Sequence, residues 1–145
     1  MGRSVAEAVT AADGMVLAAA VDPSAPGSEV CGVEVLAGVD ALVEVGIDVA
    51  VDFTVAEASR SNLPVLAAAG VHAVVGTSGL DEADVGSLRA AFTSSNCLIA
   101  PNFAIGAVLM MRFAELAAPW FDTAEIVEVH HDGKVDAPSG TAVAT

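Results

Sequence analysis

The chain has 145 residues, 19 acidic against 5 basic, with a formal net charge of −14 and 54% apolar side chains. That charge repels nucleic acid and anionic membrane, so neither is expected as a partner, and the apolar stretches are broken by Gly, Pro or His well short of a membrane span. The opening Met1-Gly2-Arg3-Ser4-Val5 lacks the sustained apolar core of a secretory leader, and the widely separated Cys31 and Cys97 form no metal or redox spacing, so a reducing, cytoplasmic setting is expected.

Residues 2–12 have helical spacing and composition and are closed by Asp13-Gly14. Residues 15–21 form a continuous apolar run, which suits a strand covered on both faces. That run ends at Asp22, with Pro23 next. Gly2 stands twenty residues before Asp22, close to the separation between phosphate-turn glycines and a ribose-binding acid in dinucleotide folds. An Asp after a strand also serves simply to cap a turn, and both readings stay open at this point. Residues 23–32 read as a Pro/Gly/Ser loop, and a short helix is expected from near Asp40 to Val45. Residues 47–53 read as a second strand. Thr54 then serves as the expected N-cap of a helix through Ala69, which Pro64 should kink or divide.

Residues 71–75 read as a third buried strand running into Gly76-Thr77-Ser78-Gly79. A Gly-rich turn at the C-terminal end of a strand is where ligands sit in open α/β sheets, although ordinary turns share that composition. His72, within the strand pattern, is expected to be structural. Residues 80–92 read as a helix with Asp81, Glu82 and Asp84 placed favourably for its dipole. Residues 97–100 form a short strand, and residues 105–118 a long helix broken at Pro119. Residues 124–131 alternate between apolar and polar, as expected of the first strand of a second sheet. Helices alternating with buried strands indicate an α/β fold with a doubly wound parallel sheet. The right-handed crossover rule gathers the strand ends at Asp22, Thr54, Gly76 and Ala100 along one edge.

The stretch Glu128-Val-His-His-Asp-Gly-Lys-Val-Asp-Ala-Pro-Ser-Gly-Thr-Ala142 holds the single lysine, Lys134, and two of the three histidines, His130 and His131. Three potential cations within five residues are notable where positive charge is scarce. Ser139 is a good N-cap, and the amides after it form an anion site. The plainer alternative is a polar loop between strand and helix. Imidazoles exchange protons near neutral pH, and a lysine joins such chemistry when neighbouring cations or desolvation depress its pKa. A metal site at His130, His131 and Asp132 is disfavoured, because adjacent strand residues point to opposite faces. No metal is expected.

This segment resembles the signature of the 4-hydroxy-tetrahydrodipicolinate (dihydrodipicolinate) reductases, NAD(P)H enzymes of lysine and diaminopimelate synthesis. Asp52-Phe-Thr54, Val75-Gly-Thr-Ser-Gly79 and Ala100-Pro-Asn-Phe-Ala-Ile-Gly106 fall in the family's order, so the resemblance spans nearly the whole chain. It implies a Rossmann-type nucleotide domain over residues 1–101 and the beginning of an α+β substrate and tetramerisation domain over residues 102–145. The family opens with a strand and a phosphate turn ending in Met-Gly-Arg. This sequence begins at Met1-Gly2-Arg3 and stops at Thr145, a few residues into the next helix, so an internal piece of the enzyme is expected.

The resemblance further implies NADH or NADPH as cofactor, touched by Met1, Asp22, Gly76, Thr77, Ser78, Ala100, Pro101, Asn102 and Phe103. With Pro23 and no arginine beside Asp22, NADH is expected to serve at least as well as NADPH. His130 and Lys134 become the acid–base residues, and which of them donates the proton stays open. His131, Lys134, Gly140 and Thr141 become the binding groups for a small dicarboxylate. Asp132-Gly133 departs from relatives that carry another histidine before the lysine, which removes a possible third cation. A homotetramer is implied for the complete protein. Rival readings are another two-domain dehydrogenase of the homoserine or aspartate-semialdehyde type, a non-catalytic NADH-sensing module, or an inactive fragment. The dehydrogenases would need their own catalytic motif, which this signature does not supply, and the sensor would need a DNA- or partner-binding element, for which the acidic sequence offers no DNA surface.

Overall fold

In the computed structural model the chain divides into two units, Met1–Ile99 and Ala100–Thr145. Residues 1–100, 102–130, 132–133 and 138–145 are described. The first unit opens with α1 (Gly2–Ala11), whose Ala6 is buried. Strand β1 (Ala20–Val21) then pairs parallel with β3 (Val33–Leu36), which pairs antiparallel with β2 (Glu29–Val30). Ala6, Val30 and Val35 form the small core of this part, with Leu17 and Ala20 packed against it.

The larger core lies under a second sheet. Strands β4 (Val49–Asp52), β5 (His72–Val75) and β6 (Cys97–Ile99) run parallel in that order. They are joined by α3 (Ala56–Ala68) and α4 (Glu82–Ala91), while α2 (Asp40–Val45) precedes β4. Parallel neighbours need such crossovers, which explains the strand–helix alternation in the sequence. Ala50 pairs with Ala73, and Asp52 with Val75. The residues of that face are buried with Leu63 and Leu66 of α3 and Leu88 of α4. On the opposite face Val49, Val51 and Leu98 are exposed.

Helix α4 carries a full capping box: the Asp81 side chain accepts from Asp84 N and the Asp84 side chain from Asp81 N. Arg60 of α3 donates to both oxygens of Asp84, at 2.8 and 2.7 Å, tying the two helices together. The guanidinium, with the Asp81 amide assisting, holds the Asp84 carboxyl below the ordinary aspartate range.

Several expectations are corrected. Only Ala20 and Val21 of the apolar run 15–21 form a strand, and Met15 and Val16 are exposed. Hydropathy marks strand potential, but a strand exists only where a neighbour accepts its hydrogen bonds, and here β3 does so at two positions. The loop expected over residues 23–32 contains β2, the first arm of a hairpin. Its turn residues Cys31 and Gly32 both have positive φ, 50° and 82°, as a two-residue hairpin turn of the primed type requires. Thr54 does not cap α3. Val55 occupies that position without a side-chain bond, and the Thr54 hydroxyl turns back to Asp52. Pro64 lies inside an undivided α3, where buried Ser59, Leu63, Leu66 and Ala67 anchor the helix on both sides of it and offset the one lost backbone bond. His72 is structural as expected, its Nδ1 accepting from Asn96 N at 2.9 Å.

The second unit contains α5 (Ile105–Ala117), a 3-10 turn (Ala118–Trp120) and α6 (Gly140–Ala144). No strand occurs among its described residues, and 124–130 run without regular structure. The alternation there has no described partner segment to pair with, and Ile126, Val127 and Val129 are exposed. No described helix is long and apolar enough to cross a membrane.

Leu63 is fully buried in the larger core. Leu63→Ala is expected to lower the unfolding free energy by about 2–5 kcal/mol. Denaturant titration of variant and wild type measures the difference.

Candidate functional site

In the first unit the candidate residues sit where strands end. Asp22 follows β1, and its backbone N–H still donates to Leu36 O at 3.1 Å, extending the ladder by one step. Its side chain is exposed, and Oδ1 accepts from Ser24 N at 2.9 Å and from Ser24 Oγ at 2.6 Å. Both bonds favour the ionised form and hold the Asp22 carboxyl below its ordinary value, the Ser24 hydroxyl contributing most. An acceptor-only group is thus fixed at a strand end with Oδ2 outside its own turn. Met1 is exposed and occupies the N-cap position of α1, its carbonyl accepting from Val5 N at 3.1 Å.

The Gly76-Thr77-Ser78-Gly79 turn leaves the end of β5. Gly76 N donates to Asp52 O at 2.8 Å, so the β4–β5 pairing runs on into the turn. A Cβ placed on Gly76 would lie 2.2 Å from Phe53 Cε1, which leaves glycine as the residue that fits beneath that ring. Thr77 is buried and Ser78 exposed. The Thr77 hydroxyl donates to Asp52 Oδ1 at 3.1 Å. Asp52 also accepts from Thr54 N at 2.8 Å, Thr54 Oγ1 at 2.7 Å and Ser59 Oγ at 3.1 Å. This buried carboxylate network was not anticipated as a functional group. Its sequence signal is the pair Asp52 and Thr54 at a strand end, a spacing at which an aspartate closes a local turn on the backbone two residues on.

In the second unit the carboxylate of Glu128 accepts from Ser139 N, at 2.9 Å from Oε1 and 3.2 Å from Oε2. Ser139 in turn caps α6 as expected, its hydroxyl accepting from Ala142 N at 3.1 Å. His130 Nδ1 lies 3.6 Å from Glu128 Oε2, and the imidazole is exposed. Glu128 therefore draws together the histidine end of the signature and its Ser-Gly-Thr end. Asn102 Nδ2 donates to Thr141 Oγ1 at 2.6 Å while Asn102 Oδ1 accepts from Ala104 N at 2.8 Å, so the Ala100-Pro-Asn-Phe segment is bonded to the first turn of α6. Gly140 and Thr141 are half-buried and Phe103 is exposed. Pro101, His131 and Lys134 lie outside the described residues. No cluster of three metal-ligating side chains occurs among the described residues.

The local chemistry is a solvent-accessible imidazole beside a carboxylate, close in sequence to a capped helix start, and, in the other unit, strand-end turns with an ionised acceptor. Residues 1–103 match the family model described as "Dihydrodipicolinate reductase, N-terminus", and residues 106–145 match "Dihydrodipicolinate reductase, C-terminus". Over the whole chain the sequence is 45% identical to a 4-hydroxy-tetrahydrodipicolinate reductase of Nocardia farcinica (strain IFM 10152) and 47% identical to one of Beutenbergia cavernae, covering 55% of each relative. The chain thus spans little more than half the length of these relatives. A solved structure, "Dipicolinate bound Dihydrodipicolinate reductase from Paenisporosarcina sp. TG-14", superposes with a TM-score of 0.76 at 33% identity. That match covers 99% of this chain and 59% of the other.

The Asp22 carboxyl is expected to titrate below the ordinary aspartate value and so to keep its charge to a lower pH than a free aspartate. Ser24→Ala should move its midpoint upward. Side-chain NMR titration of the two proteins reads the shift.

Proposed function

Because the chain belongs to the dihydrodipicolinate reductase family, we propose that it is part of an enzyme reducing 4-hydroxy-tetrahydrodipicolinate to tetrahydrodipicolinate with NADH or NADPH. The overall change consumes one hydride and one proton and releases the 4-hydroxyl as water. When bound, the dihydronicotinamide supplies the hydride, which no protein side chain can provide. The remaining work falls to this chain and to the rest of the protein.

The first unit has the character of a dinucleotide site. Its parallel strands end in a turn where Gly76 presents backbone without a side chain and Ser78 is exposed. Asp22 offers an ionised acceptor suited to a ribose hydroxyl. These residues fit the cofactor. Met1, Gly76, Thr77 and Ser78, with Ala100, Pro101, Asn102 and Phe103, are assigned to its binding. Residues 1–101 are the nucleotide domain in this reading and 102–145 the beginning of the substrate domain.

The observation that carries the reading is the Glu128 bridge. One carboxylate holds the Ser139 amide and stands 3.6 Å from His130 Nδ1. The family signature is thereby closed on itself, with an imidazole at one end and the Gly140 and Thr141 amides at the other. His130 and Lys134 are assigned the proton transfer, and His131, Lys134, Gly140 and Thr141 the carboxylates of the substrate. The structural neighbour's bound dipicolinate, a planar dicarboxylate, supports a ligand of that class. A homotetramer is assigned to the complete protein by its family alone.

In the complete enzyme, His130→Ala or Lys134→Ala should each reduce turnover by about 10²–10⁴, the usual scale of acid–base assistance. The assay follows loss of dihydronicotinamide absorbance with freshly generated 4-hydroxy-tetrahydrodipicolinate. Full activity in either variant removes that residue from the mechanism, and inactivity of the wild type defeats the reductase reading itself. Asp22→Ala should raise the KM for NADH more than that for NADPH, whose 2′-phosphate replaces the hydroxyl in question. Equal losses with both cofactors would exclude the ribose role.

A further inference from the structure

Asp52 is 7% exposed, and no cation pairs with its carboxylate among the described residues. Burying such a group is costly unless hydrogen bonds satisfy it. Four donors do so, and they come from three places in the chain. Thr54 supplies its amide and hydroxyl from the residues just after β4. Ser59, fully buried on α3, supplies a second hydroxyl. Thr77, beyond the end of β5, supplies the third. The backbone repeats the link, since Asp52 O accepts from Gly76 N.

The residue type is informative. A carboxylate only accepts, and the three hydroxyls that surround it all have a proton to give. An asparagine in the same pose would keep Oδ1 for the Thr54 and Thr77 donors and set its N–H₂ only against the Ser59 hydroxyl, which can itself accept, so removing the Thr77 link takes loss of the whole carboxylate. Asp52 also lies on the covered face of its strand, level with Val75 in the sheet register, so it approaches the turn from behind the exposed Ser78. Its influence reaches β6, two strands away in the sheet, as well. The Cys97 thiol is pushed up chiefly by burial and in addition by the Asp52 charge. A negative group this close to an anionic dinucleotide would repel it if the two were in contact. Held behind the turn, it acts instead on the turn's conformation.

We propose that Asp52 is a positioning residue for the nicotinamide cofactor: it fixes the Gly76-Thr77-Ser78 turn by holding the Thr77 hydroxyl, without touching the cofactor. This rests on the dinucleotide reading of that turn. It adds a residue to which the family signature gives no part in binding.

The test is a double-mutant cycle in the complete reductase, reading the Kd for NADH by fluorescence titration beside KM and kcat. Asp52→Ala and Thr77→Val should each weaken NADH binding about tenfold, the scale of one hydrogen bond, and Asp52→Ala should change kcat less than about threefold. The double variant should bind no more than about threefold worse than the weaker single variant, because both substitutions remove the same link. Thr77→Ser, which keeps the hydroxyl, should bind as wild type does. A roughly hundredfold loss in the double variant would mean independent roles and overturn the inference. So would unchanged NADH affinity in Asp52→Ala. If Asp52→Ala does not fold, the Thr77 pair decides: equal affinity for valine and wild type, or equal weakness for valine and serine, overturns the proposal. Wild-type NADH binding without turnover would count against the reductase function and leave the positioning role standing. Absence of NADH binding by the wild type would defeat both.

Discussion

Parallel pairing of β4 with β5 is the constraint on which the first unit depends. Four consecutive residue pairs set its register, and the register decides which side chains enter the core. A slip of one residue would bring Val49 and Val51 inward and turn Ala50 and Asp52 outward. The covered face tolerates small residues at Ala50 and Ala73 because Leu63, Leu66 and Leu88 fill the space above them. At the far end the same register brings Asp52 beside Val75, and the chain beyond Val75 becomes the Gly76 turn. Core packing and turn geometry are therefore one arrangement seen at two ends of a strand pair.

The second unit relies on a different device. Its candidate groups are not mounted on a sheet among the described residues. They are gathered by side chains that reach across sequence: Glu128 to the Ser139 amide, and Asn102 to the Thr141 hydroxyl. Both links end at the start of α6. A five-residue helix has little stability of its own, and the Ser139 cap with these two contacts is what holds its first turn. The exposed imidazole of His130 stands 3.6 Å from the same carboxylate that anchors this turn.

Much of the fold was legible because its signals are local. Helix α4 declares itself through the acids Asp81, Glu82 and Asp84 at its start, and the structure joins Asp81 and Asp84 in a capping box. The buried strand before Gly76 is a run of apolar residues with a glycine turn behind it, and β5 stands there. What escaped depends on partners far away in sequence. Residues 15–19 have strand composition, yet the pairing with β3 begins only at Ala20. The β2–β3 hairpin was hidden because its turn begins with Cys31, a residue seldom found at positive φ. Pro64 suggested a break, and burial on both sides of it kept the helix whole. In the candidate site the glycine turn and the Ser139 cap were readable from composition. The Asp52 network was not, since Ser59 and Thr77 meet it only after α3 and β5 have folded onto the sheet.

The ring of Phe53 and any side chain at position 76 compete for a single volume. The exclusion runs one way. A methyl at 76 needs the aromatic ring at 53 to swing aside or be cut down first, whereas a smaller group at half-buried 53 asks nothing of the glycine. Position 76 is thus the dependent partner, its size limited by a neighbour from another strand's end.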